Sequence, residues 1–418
     1  MLELEITELG AGGDGIAKDG DDLYFVAGTC PGDRVSVKVG ETKRHGIVAE
    51  LVEVLEPSKD RQAPACQHFG ACGGCSLQFL SDDAYSNWIK FKVENALAHH
   101  ALSHVKVLEP IVSPAHARRR VALKAMNAGG QILLGFNERQ SNTLVDLKEC
   151  PISDPAIVAA IPKLKLALKD VVPAGKPSLV HITRTYTGLD ILIETKKTLT
   201  LDARQMLVDF ANKYNIAAIH VDDGGFNDPV IIRREPRMKF GDTQVPLPPA
   251  AFVQATPDGE AALVKFVVEA CKGAKRVADL YAGIGTFTLP LGVNSQVLAI
   301  EGAKAAHAAL RAGVNRAKGL KEIVTAERDL ARRPLSEKEL EPIDVVVLDP
   351  PRAGAKDQME RLAYASVDKV VSISCSPDTF ARDAKILCDA GFSLSEVQPV
   401  GQFRWTTHVE VAGVFVRG

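Results

Sequence analysis

The sequence predicts an α/β protein whose C-terminal part, residues 246–418, forms a doubly wound parallel sheet. From residue 252 onward, short apolar segments rich in β-branched residues alternate regularly with segments of helical spacing. A turn with two glycines follows one apolar segment at residues 281–286, and polar motifs follow several others. Because open parallel sheets bind ligands at the carboxyl ends of their strands, we expect the functional residues in these turns and motifs.

The elements of this part can be assigned in chain order. Predicted strands cover residues 276–280, 296–300, 323–325, 343–348, 370–374 and 410–416. Predicted helices cover residues 259–271, 304–318 and 379–390. This alternation is typical of a parallel sheet with helices on both faces.

Residues 1–56 are predicted to form a small, OB-like β-barrel. Leu2, Leu4 and Ile6 alternate with polar residues, and further strands are expected at residues 23–26, 34–39 and 47–55. Closed barrels of this kind often bind oligonucleotides. Four basic side chains could contact phosphates, with a solvated hairpin tip as the alternative: Lys38, Lys43, Arg44 and His45.

Residues 57–100 are predicted to hold a metal-binding cysteine loop and a following helix. Cys66, Cys72 and Cys75 lie in a glycine-rich loop that lets three thiolates converge on one centre. A fourth ligand is then required, and Cys150 is the candidate. Zinc ribbons usually contain two Cys-x-x-Cys pairs, and this loop contains one, so an iron–sulfur cluster is favoured over zinc.

Residues 101–245 are predicted to form a mixed α+β domain that binds RNA and supplies Cys150. Strands are expected at 121–123, 132–136, 191–193 and 217–221, and a helix at 201–214. Six arginines are candidates for a track that contacts phosphates, with a charged solvated surface as the alternative: Arg118, Arg119, Arg120, Arg233, Arg234 and Arg237.

Length and composition limit the class of protein. A chain of 418 residues is too long for one ordinary core. No apolar run reaches membrane-spanning length, and the acidic, alternating N-terminus is unlike a secretory signal, so we expect a cytoplasmic protein without membrane contact. We also expect a monomer. The eight cysteines show no dense disulfide pattern. The formal charge of −2 argues against non-specific coating of nucleic acid and allows a local basic track.

The glycine turn favours S-adenosylmethionine over a dinucleotide. Gly283 and Gly285 permit close backbone approach to a cofactor, but Thr288 stands where a dinucleotide fingerprint needs a third glycine. Glu301 ends the next strand, where an acidic side chain can bind ribose hydroxyls. S-adenosylmethionine has such a ribose and no phosphate. The alternative is an ordinary strand–helix turn.

Cys375 lies at the end of a predicted strand, and a buried core cysteine is its alternative interpretation. One strand earlier, the sequence Asp349-Pro350-Pro351-Arg352 resembles the turn of methyltransferases that act on planar nitrogens, but Arg352 replaces the stacking aromatic residue. Methylation of carbon fits better. Addition of a thiolate to C6 of uracil makes C5 nucleophilic, and a base must then remove the C5 proton.

Taken together, the chain resembles the RNA uracil-C5 methyltransferase family over nearly its full length. The N-terminal part resembles a TRAM domain through residues 13–17 and 31–35. The other matching segments are residues 252–254, 279–290, 349–352, 374–377 and 408–410.

This resemblance implies a Rossmann-like sheet of the class I methyltransferases, with Cys375 as nucleophile and Glu410 as base. It also implies a cofactor site lined by Gln254, Tyr281, Gly283, Thr286, Glu301, Asp329 and Asp349. Cys66, Cys72, Cys75 and Cys150 would hold a four-iron, four-sulfur cluster.

A physical argument also supports Glu410. If the last strand runs antiparallel, as in this kind of sheet, Glu410 faces Cys375 across the cleft. Two residues depart from the family pattern: Thr256 and Ser376 each stand where asparagine is common.

Three other functions remain as alternatives. Methylation of cytosine C5 in RNA would require a Pro-Cys pair, which the Asp-Pro-Pro turn lacks. A non-catalytic iron–sulfur protein that binds RNA would lack the nucleophile or the base. Among uridine substrates, 23S ribosomal RNA is favoured over transfer RNA, because a barrel combined with a cluster is more common in the ribosomal RNA members.

Overall fold

The computed structural model describes residues 1–139, 141–224 and 227–418. Within these ranges the strands form sheets of six, seven, two and nine strands. The nine-stranded sheet contains the predicted parallel strands; seven of its strands lie after residue 275, and the other two come earlier in the chain, before the seven-stranded sheet.

The N-terminal sheet is curled. Its strands are β1 Leu2–Glu5, β2 Glu8–Leu9, β3 Asp14–Asp19, β4 Asp22–Ala27, β5 Arg34–Lys43 and β6 Gly46–Glu56. They lie in the order β1-β5-β6-β4-β3-β2, and β1 also contacts β3 across the curl. The interior is filled by alternate side chains, including Val26, Val35 and Val37, as the period of a half-buried strand requires.

One helix and two short strands follow: α1 Asp82–His99, β7 Lys106–Val107 and β8 Ile111–Val112. Ser81 caps α1, because its hydroxyl accepts a hydrogen bond from the backbone N–H of Ala84.

The middle sheet has seven strands and two helices. These are β9 Arg120–Ala128, β10 Gln131–Asn137, β11 Leu144–Asp146, α2 Pro155–Ala167, β12 Ser178–Thr185, β13 Gly188–Glu194, α3 Leu201–Lys213, β14 Ala218–Asp222 and β15 Asp228–Ile232. The order is β11-β10-β9-β12-β13-β14-β15. Both helices pack on the face that carries Val121, Ile182 and Ile191. A hairpin, β16 Arg237–Phe240 and β17 Thr243–Pro246, leads into the last part of the chain.

The C-terminal part alternates strand and helix. Its elements are α4 Pro257–Ala270, β18 Arg276–Leu280, α5 Thr288–Gly292, β19 Gln296–Glu301, α6 Lys304–Arg316, β20 Ile323–Glu327, α7 Glu337–Leu340, β21 Val345–Leu348, α8 Lys356–Tyr364, β22 Lys369–Ser374, α9 Pro377–Asp389, β23 Phe392–Gly401 and β24 Glu410–Arg417. The order is β20-β19-β18-β21-β22-β24-β23-β7, with β8 also paired to β23. The first five strands are parallel, and β24 is antiparallel to both neighbours. This arrangement confirms the predicted fold class.

The early segments α1, β7 and β8 belong to the same packed unit as this sheet. Helix α1 packs on α9 and β23, and its buried residues Tyr85, Trp88 and Ile89 share one core with Phe380 and other residues of the C-terminal part. The domain limits at residues 100 and 245, which were expected from the sequence, stay a prediction.

Several observed elements were absent from the sequence-based assignment, among them α2 and β12 in the middle sheet and α7, α8 and β23 in the C-terminal part. Pro399 lies within β23, and proline in an apolar run argues against a strand because it cannot donate to the ladder. No helix of the described ranges combines the length and the apolar character needed to cross a membrane.

Candidate active site

Cys375 follows the last residue of β22. The strand is buried along Val370, Val371 and Ile373, which fixes it in the centre of the sheet. The next residue, Ser376, caps α9 by accepting a hydrogen bond from the N–H of Thr379. The thiol is therefore placed between a rigid strand and a helix start, half-buried at the carboxyl edge of the sheet.

Glu410 begins β24 on the neighbouring strand. Because Ser374 pairs with Val411 in an antiparallel register, Cys375 and Glu410 occupy the next opposite positions. Burial, reinforced by the nearby carboxyl of Asp349, raises the pKa of Glu410 to about 8, against a lowering by the hydrogen bond from Gln402. Burial, together with the charges of Glu410 and Asp349, raises the pKa of Cys375 to about 11.

A chain of amide hydrogen bonds connects Glu410 to Asp349. Gln254 Nε2 donates to Asp349 Oδ2 at 2.9 Å. Gln402 Nε2 donates to Gln254 Oε1 at 2.7 Å and to Glu410 Oε1 at 3.0 Å. Gln402 was missed by the sequence interpretation, because only the folded chain shows that this amide, directly after β23, points at the carboxyl of Glu410.

The glycine turn has the backbone shape that the sequence indicates. Tyr281 and Gly283 have φ values of 62° and 57°, and Gly285 has 102°. A Cβ atom at Gly285 would lie 2.7 Å from Leu310 Cδ1, so both the backbone and the packing require glycine there.

Glu301 lies against this turn at the end of β19. Its Oε2 accepts a hydrogen bond from the N–H of Gly283 at 2.8 Å, and its Oε1 accepts one from Ala303 at 2.6 Å. Two backbone donors thus hold the carboxylate at the edge of the turn, where a ribose could share it.

The remaining predicted cofactor residues surround the same edge. Asp329 is exposed and lies beside Gly302, the residue that follows Glu301. Burial is the main cause that raises the pKa of Tyr281 to about 12, and the charge of Asp329 adds to it. Thr286 is half-buried just before α5, and Asp349 follows β21. The structure therefore brings Gln254, Tyr281, Gly283, Thr286, Glu301, Asp329 and Asp349 to the carboxyl edge of β18–β21.

A buried acid supports this edge from below. Asp279 of β18 is fully buried, and its Oδ2 accepts a hydrogen bond from the hydroxyl of Thr288. Burial raises the pKa of Asp279 to about 7. Thr288 therefore anchors the start of α5 to the strand instead of providing the third glycine of a dinucleotide turn.

A cavity of about 360 Å³ opens in front of Cys375. Arg118, Arg352, Phe403 and His408 line it, and its size is in the range of small-ligand sites. Burial and the positive charges of Arg352, Lys92 and Arg118 lower the pKa of His408. The wall of this cavity is therefore cationic and aromatic, with a neutral imidazole at ordinary pH.

The four predicted cluster cysteines line one small cavity next to this one. Cys66, Cys72 and Cys75 come from the loop before α1, and Cys150 follows β11. Gly73 N–H donates to the carbonyl of Asn137 at 2.8 Å, which holds the loop against the β10–β11 hairpin. Gly74, Phe136 and Ile152 line both cavities, so the cysteine site shares a wall with the site at Cys375.

The thiols of this cavity are all free. Burial raises the pKa of Cys66, Cys72 and Cys75, the last to about 12. Over the ranges that the structure describes, no three His, Cys, Asp or Glu side chains are spaced to hold a single metal ion. The residues around the cavity nevertheless provide four sulfur donors, the set that suits an all-thiolate group.

The arginine triplet is divided by the fold. The side chain of Arg119 is buried, forms an ion pair with Glu260 and donates to the carbonyl of Gln254 at 3.0 Å. The side chains of Arg118 and Arg120 each donate a hydrogen bond to a backbone carbonyl. Arg118 lies over the ring of Phe403, and Arg120 lies over the ring of Phe252. Arg118 and Arg120 thus remain candidates for phosphate contacts, and Arg119 has a structural partner.

The other predicted basic residues have different surroundings. Arg233 and Arg234 donate to Asn215, and Arg237 pairs with Glu235. The N-terminal candidates Lys38, Lys43, Arg44 and His45 are exposed on or beside the long hairpin of β5 and β6.

These features together define a class of protein. A parallel sheet with one antiparallel strand, a glycine turn against an acid-ended strand and polar residues along the carboxyl edge are the features of an S-adenosylmethionine-dependent methyltransferase. Residues 246–418 match the family model described as tRNA (Uracil-5-)-methyltransferase.

Comparison with known proteins identifies the family. An RNA methyltransferase of Caulobacter vibrioides is 44% identical over 100% of both chains. The 23S rRNA (uracil(1939)-C(5))-methyltransferase RlmD of Shewanella halifaxensis is 30% identical over 99% of this chain and 95% of its own. The chain belongs to the RNA uracil-C5 methyltransferase family and is an S-adenosylmethionine-dependent RNA (uracil-5-)-methyltransferase.

A solved structure supports the fold over the whole chain. The tRNA (uracil-54, C5)-methyltransferase of Pyrococcus abyssi, in complex with S-adenosyl-L-homocysteine, has a TM-score of 0.78. The match covers 99% of both chains at 23% identity.

Proposed function

We propose that the chain methylates C5 of a uridine in 23S ribosomal RNA, with Cys375 as the nucleophile and Glu410 as the base. The observation that carries this proposal is the register of β22 and β24, which sets the thiol opposite a buried carboxyl group. One group can then attack the ring while the other receives a proton from it.

The steps follow from the chemistry of uracil. The Cys375 thiolate forms a bond to C6, and the electron pair of the C5–C6 double bond moves into an enolate that makes C5 nucleophilic. S-adenosylmethionine, when bound, supplies the methyl group to C5; the bond from its sulfur to the methyl breaks, and S-adenosylhomocysteine leaves. Glu410 then removes the C5 proton, the double bond re-forms, and the bond between C6 and sulfur breaks to return the thiolate.

The residues at the sheet edge have separate roles in this proposal. Glu301 would bind the ribose hydroxyls, and the turn at Gly283 would allow the cofactor to approach the backbone. Gln254 and Asp349, joined by their hydrogen bond, lie between this site and Glu410. The cavity at Cys375 would receive a uracil turned out of its RNA stack.

Cys66, Cys72, Cys75 and Cys150 would hold a four-iron, four-sulfur cluster. All four line one cavity, and their loop contains a single Cys-x-x-Cys pair where zinc ribbons usually contain two. A cluster with one thiolate for each iron suits a donor set of this kind. When bound, it would join the loop before α1 to the segment after β11.

We assign the RNA contacts to Arg118, Arg120 and the curled N-terminal sheet, which we interpret as a TRAM domain. Arg118 lines the cavity at Cys375, and Arg120 lies over Phe252, whose side chain is 59% exposed. Exposed aromatic rings and cations are what single-stranded RNA requires for stacking and phosphate contacts. The relative RlmD favours ribosomal RNA, and transfer RNA, the substrate named for the Pyrococcus abyssi enzyme, is the second candidate.

A trapped intermediate tests the two-residue mechanism. Glu410→Gln should form the covalent adduct and methylate C5, but it should not release the RNA, because the C5 proton stays in place. A denaturing gel should show a shifted band that requires both S-adenosylmethionine and Cys375. Normal turnover of Glu410→Gln would overturn the assignment of the base.

The RNA itself requires a separate measurement. Purified enzyme should be incubated with 23S ribosomal RNA and with transfer RNA that lack 5-methyluridine, and the methylated position mapped. Methylation of transfer RNA alone would contradict the ribosomal assignment and leave the chemistry unchanged.

A further inference from the structure

Gln402 lies directly after β23, is 1% exposed and makes three hydrogen bonds. Its Oε1 accepts from the backbone N–H of Ala255 at 2.9 Å. Its Nε2 donates to Gln254 and to Glu410. All the hydrogen-bonding groups of this buried amide are therefore satisfied, which is the condition for a well-fixed polar network.

The backbone determines which way this amide points. An N–H of the main chain can only donate, so the Gln402 oxygen must face Ala255 and its nitrogen must face the two oxygen acceptors. Gln254 then presents its own oxygen to Gln402 and its nitrogen to Asp349. Gln402 thus fixes which group donates and which accepts in each hydrogen bond of the network from Ala255 to Asp349.

The neighbouring helix leaves room for this side chain. A Cβ atom at Gly259, in the first turn of α4, would lie 2.7 Å from Gln402 Cβ. Any residue with a Cβ atom at this position would force α4 or Gln402 to shift.

We propose that Gln402 is a positioning residue for methyl transfer to RNA, which orients the carboxyl of Glu410 and the amide of Gln254. This inference rests on the role proposed above for Glu410 as the base. Gln402 contacts the base and its neighbour, and it acts on the substrate only through them.

The proposal has a consequence for pH dependence. Two titratable groups face Glu410, namely Asp349 after β21 and Cys375 after β22, and Arg352 lies on the same cavity as Cys375. The donor from Gln402 favours the ionised form of Glu410 and opposes the effect of burial. Without this donor, the carboxyl should ionise about one pH unit higher, which is a tenfold loss of active base below that pH.

Gln402→Met tests this proposal, because it keeps the length of the side chain and removes its hydrogen bonds. The rate at which the covalent adduct releases methylated RNA should be measured in a single turnover across pH. We expect the rising part of the pH–rate profile to move about one unit to higher pH, with tenfold slower release at pH 7. A release rate that rises over the same pH range as in the parent would overturn the proposal.

Gln398→Met is the matched control, because Gln398 is on β23 and its amide donates to the carbonyl of Glu109, away from the site. It should release RNA at the parental rate. If Gln402→Met does not fold, Gln402→Glu keeps the acceptor for Ala255 and replaces the donor by a carboxyl, and it should shift the rising part of the profile at least as far.

The adduct trap separates this proposal from the one on which it rests. If Glu410→Gln turns over normally, the role of Glu410 fails first. If Glu410→Gln traps the adduct and Gln402→Met keeps the parental pH profile, only the inference about Gln402 fails.

Discussion

Glu410 lies opposite Cys375 just beyond the last pair of the β22–β24 ladder, and its charge raises the pKa of the Cys375 thiol. A negative charge on Glu410 raises the pKa of the Cys375 thiol, so thiolate and carboxylate are costly to hold together in this buried setting. Once the thiolate sulfur is bonded to C6, its negative charge is gone and no longer opposes ionisation of Glu410. Adduct formation should therefore favour the ionised form of Glu410, at the stage when a base is needed.

The first prediction concerns the pH dependence of turnover. Glu410, with a pKa of about 8, and Cys375, with a pKa of about 11, are both active in their deprotonated forms. Both fractions increase with pH, so kcat should rise between pH 7 and pH 9. The measurement is the rate of methyl transfer at saturating RNA and cofactor. A rate that falls over this interval would contradict the assignment of both groups.

The second prediction concerns the speed of adduct formation in Glu410→Gln. At pH 9 the Glu410 carboxyl, with a pKa of about 8, is mostly ionised in the parent, and its replacement removes one of the charges that raise the pKa of Cys375. More thiolate is then present, so the adduct should form faster at pH 9 than it does in the parent, measured under single-turnover conditions. The double variant with Cys375→Ala is the control and should form none.

The third prediction concerns the cofactor. Glu301→Gln keeps one acceptor but loses the charge that two backbone N–H groups and a ribose would share. Binding of S-adenosylmethionine should weaken by about 1–3 kcal/mol, measured by calorimetry. Glu322→Ala, just before the amino end of β20, is the control and should bind normally. If the Glu301 variant binds S-adenosylmethionine as tightly as the parent, Glu301 does not contribute to cofactor binding.

The fourth prediction concerns the cysteine cavity. Protein purified without oxygen should be brown and contain iron and sulfide, and Cys150→Ser should lose the colour because one of four thiolates is missing. Cys388→Ser, in α9, removes a half-buried thiol that does not line the cavity and should stay coloured. Stoichiometric zinc without iron would refute the cluster.

The fifth prediction concerns RNA affinity. Replacement of Arg118 or Arg120 by glutamine should weaken binding and reduce the slope of log affinity against log salt by about one for each phosphate that the variant no longer neutralises. Arg276→Gln is the control, because Arg276 is exposed at the amino edge of the sheet, opposite the site. An unchanged slope in both variants would show that the RNA binds to another surface.

The sequence predicted the sheet well, because its strands are regular apolar segments and its turns need particular residues. Strand β18 was predicted with its observed bounds, and the predicted β22 ended at Ser374 as observed. Its predicted helices differ from the observed ones by a few residues at the ends, where caps such as Thr256 set the limit. Strand β23 was missed because Pro399 interrupts its pattern.

The candidate site was predictable where a residue follows a strand and was not where tertiary contacts decide. Cys375 and Asp349 follow recognisable strands, and Glu301 is the last residue of one. Gln402 became visible only when three segments met, since no local pattern marks an amide whose partners are about 150 residues away or across a hairpin. Arg119 could not be separated from its two neighbours for the same reason, because its partner is Glu260.

The strands β7 and β8 complete the edge of the nine-stranded sheet from a point more than two hundred residues earlier in the chain. The boundaries of sequence similarity and of cooperative folding therefore differ in this protein. A fragment that begins at residue 246 would contain the segment that the family model matches, but it would leave β23 as a bare edge and uncover α9 where α1 packs. The catalytic part is thus recognisable as an evolutionary module but depends physically on a segment that precedes it, which constrains how recombination could exchange it between proteins.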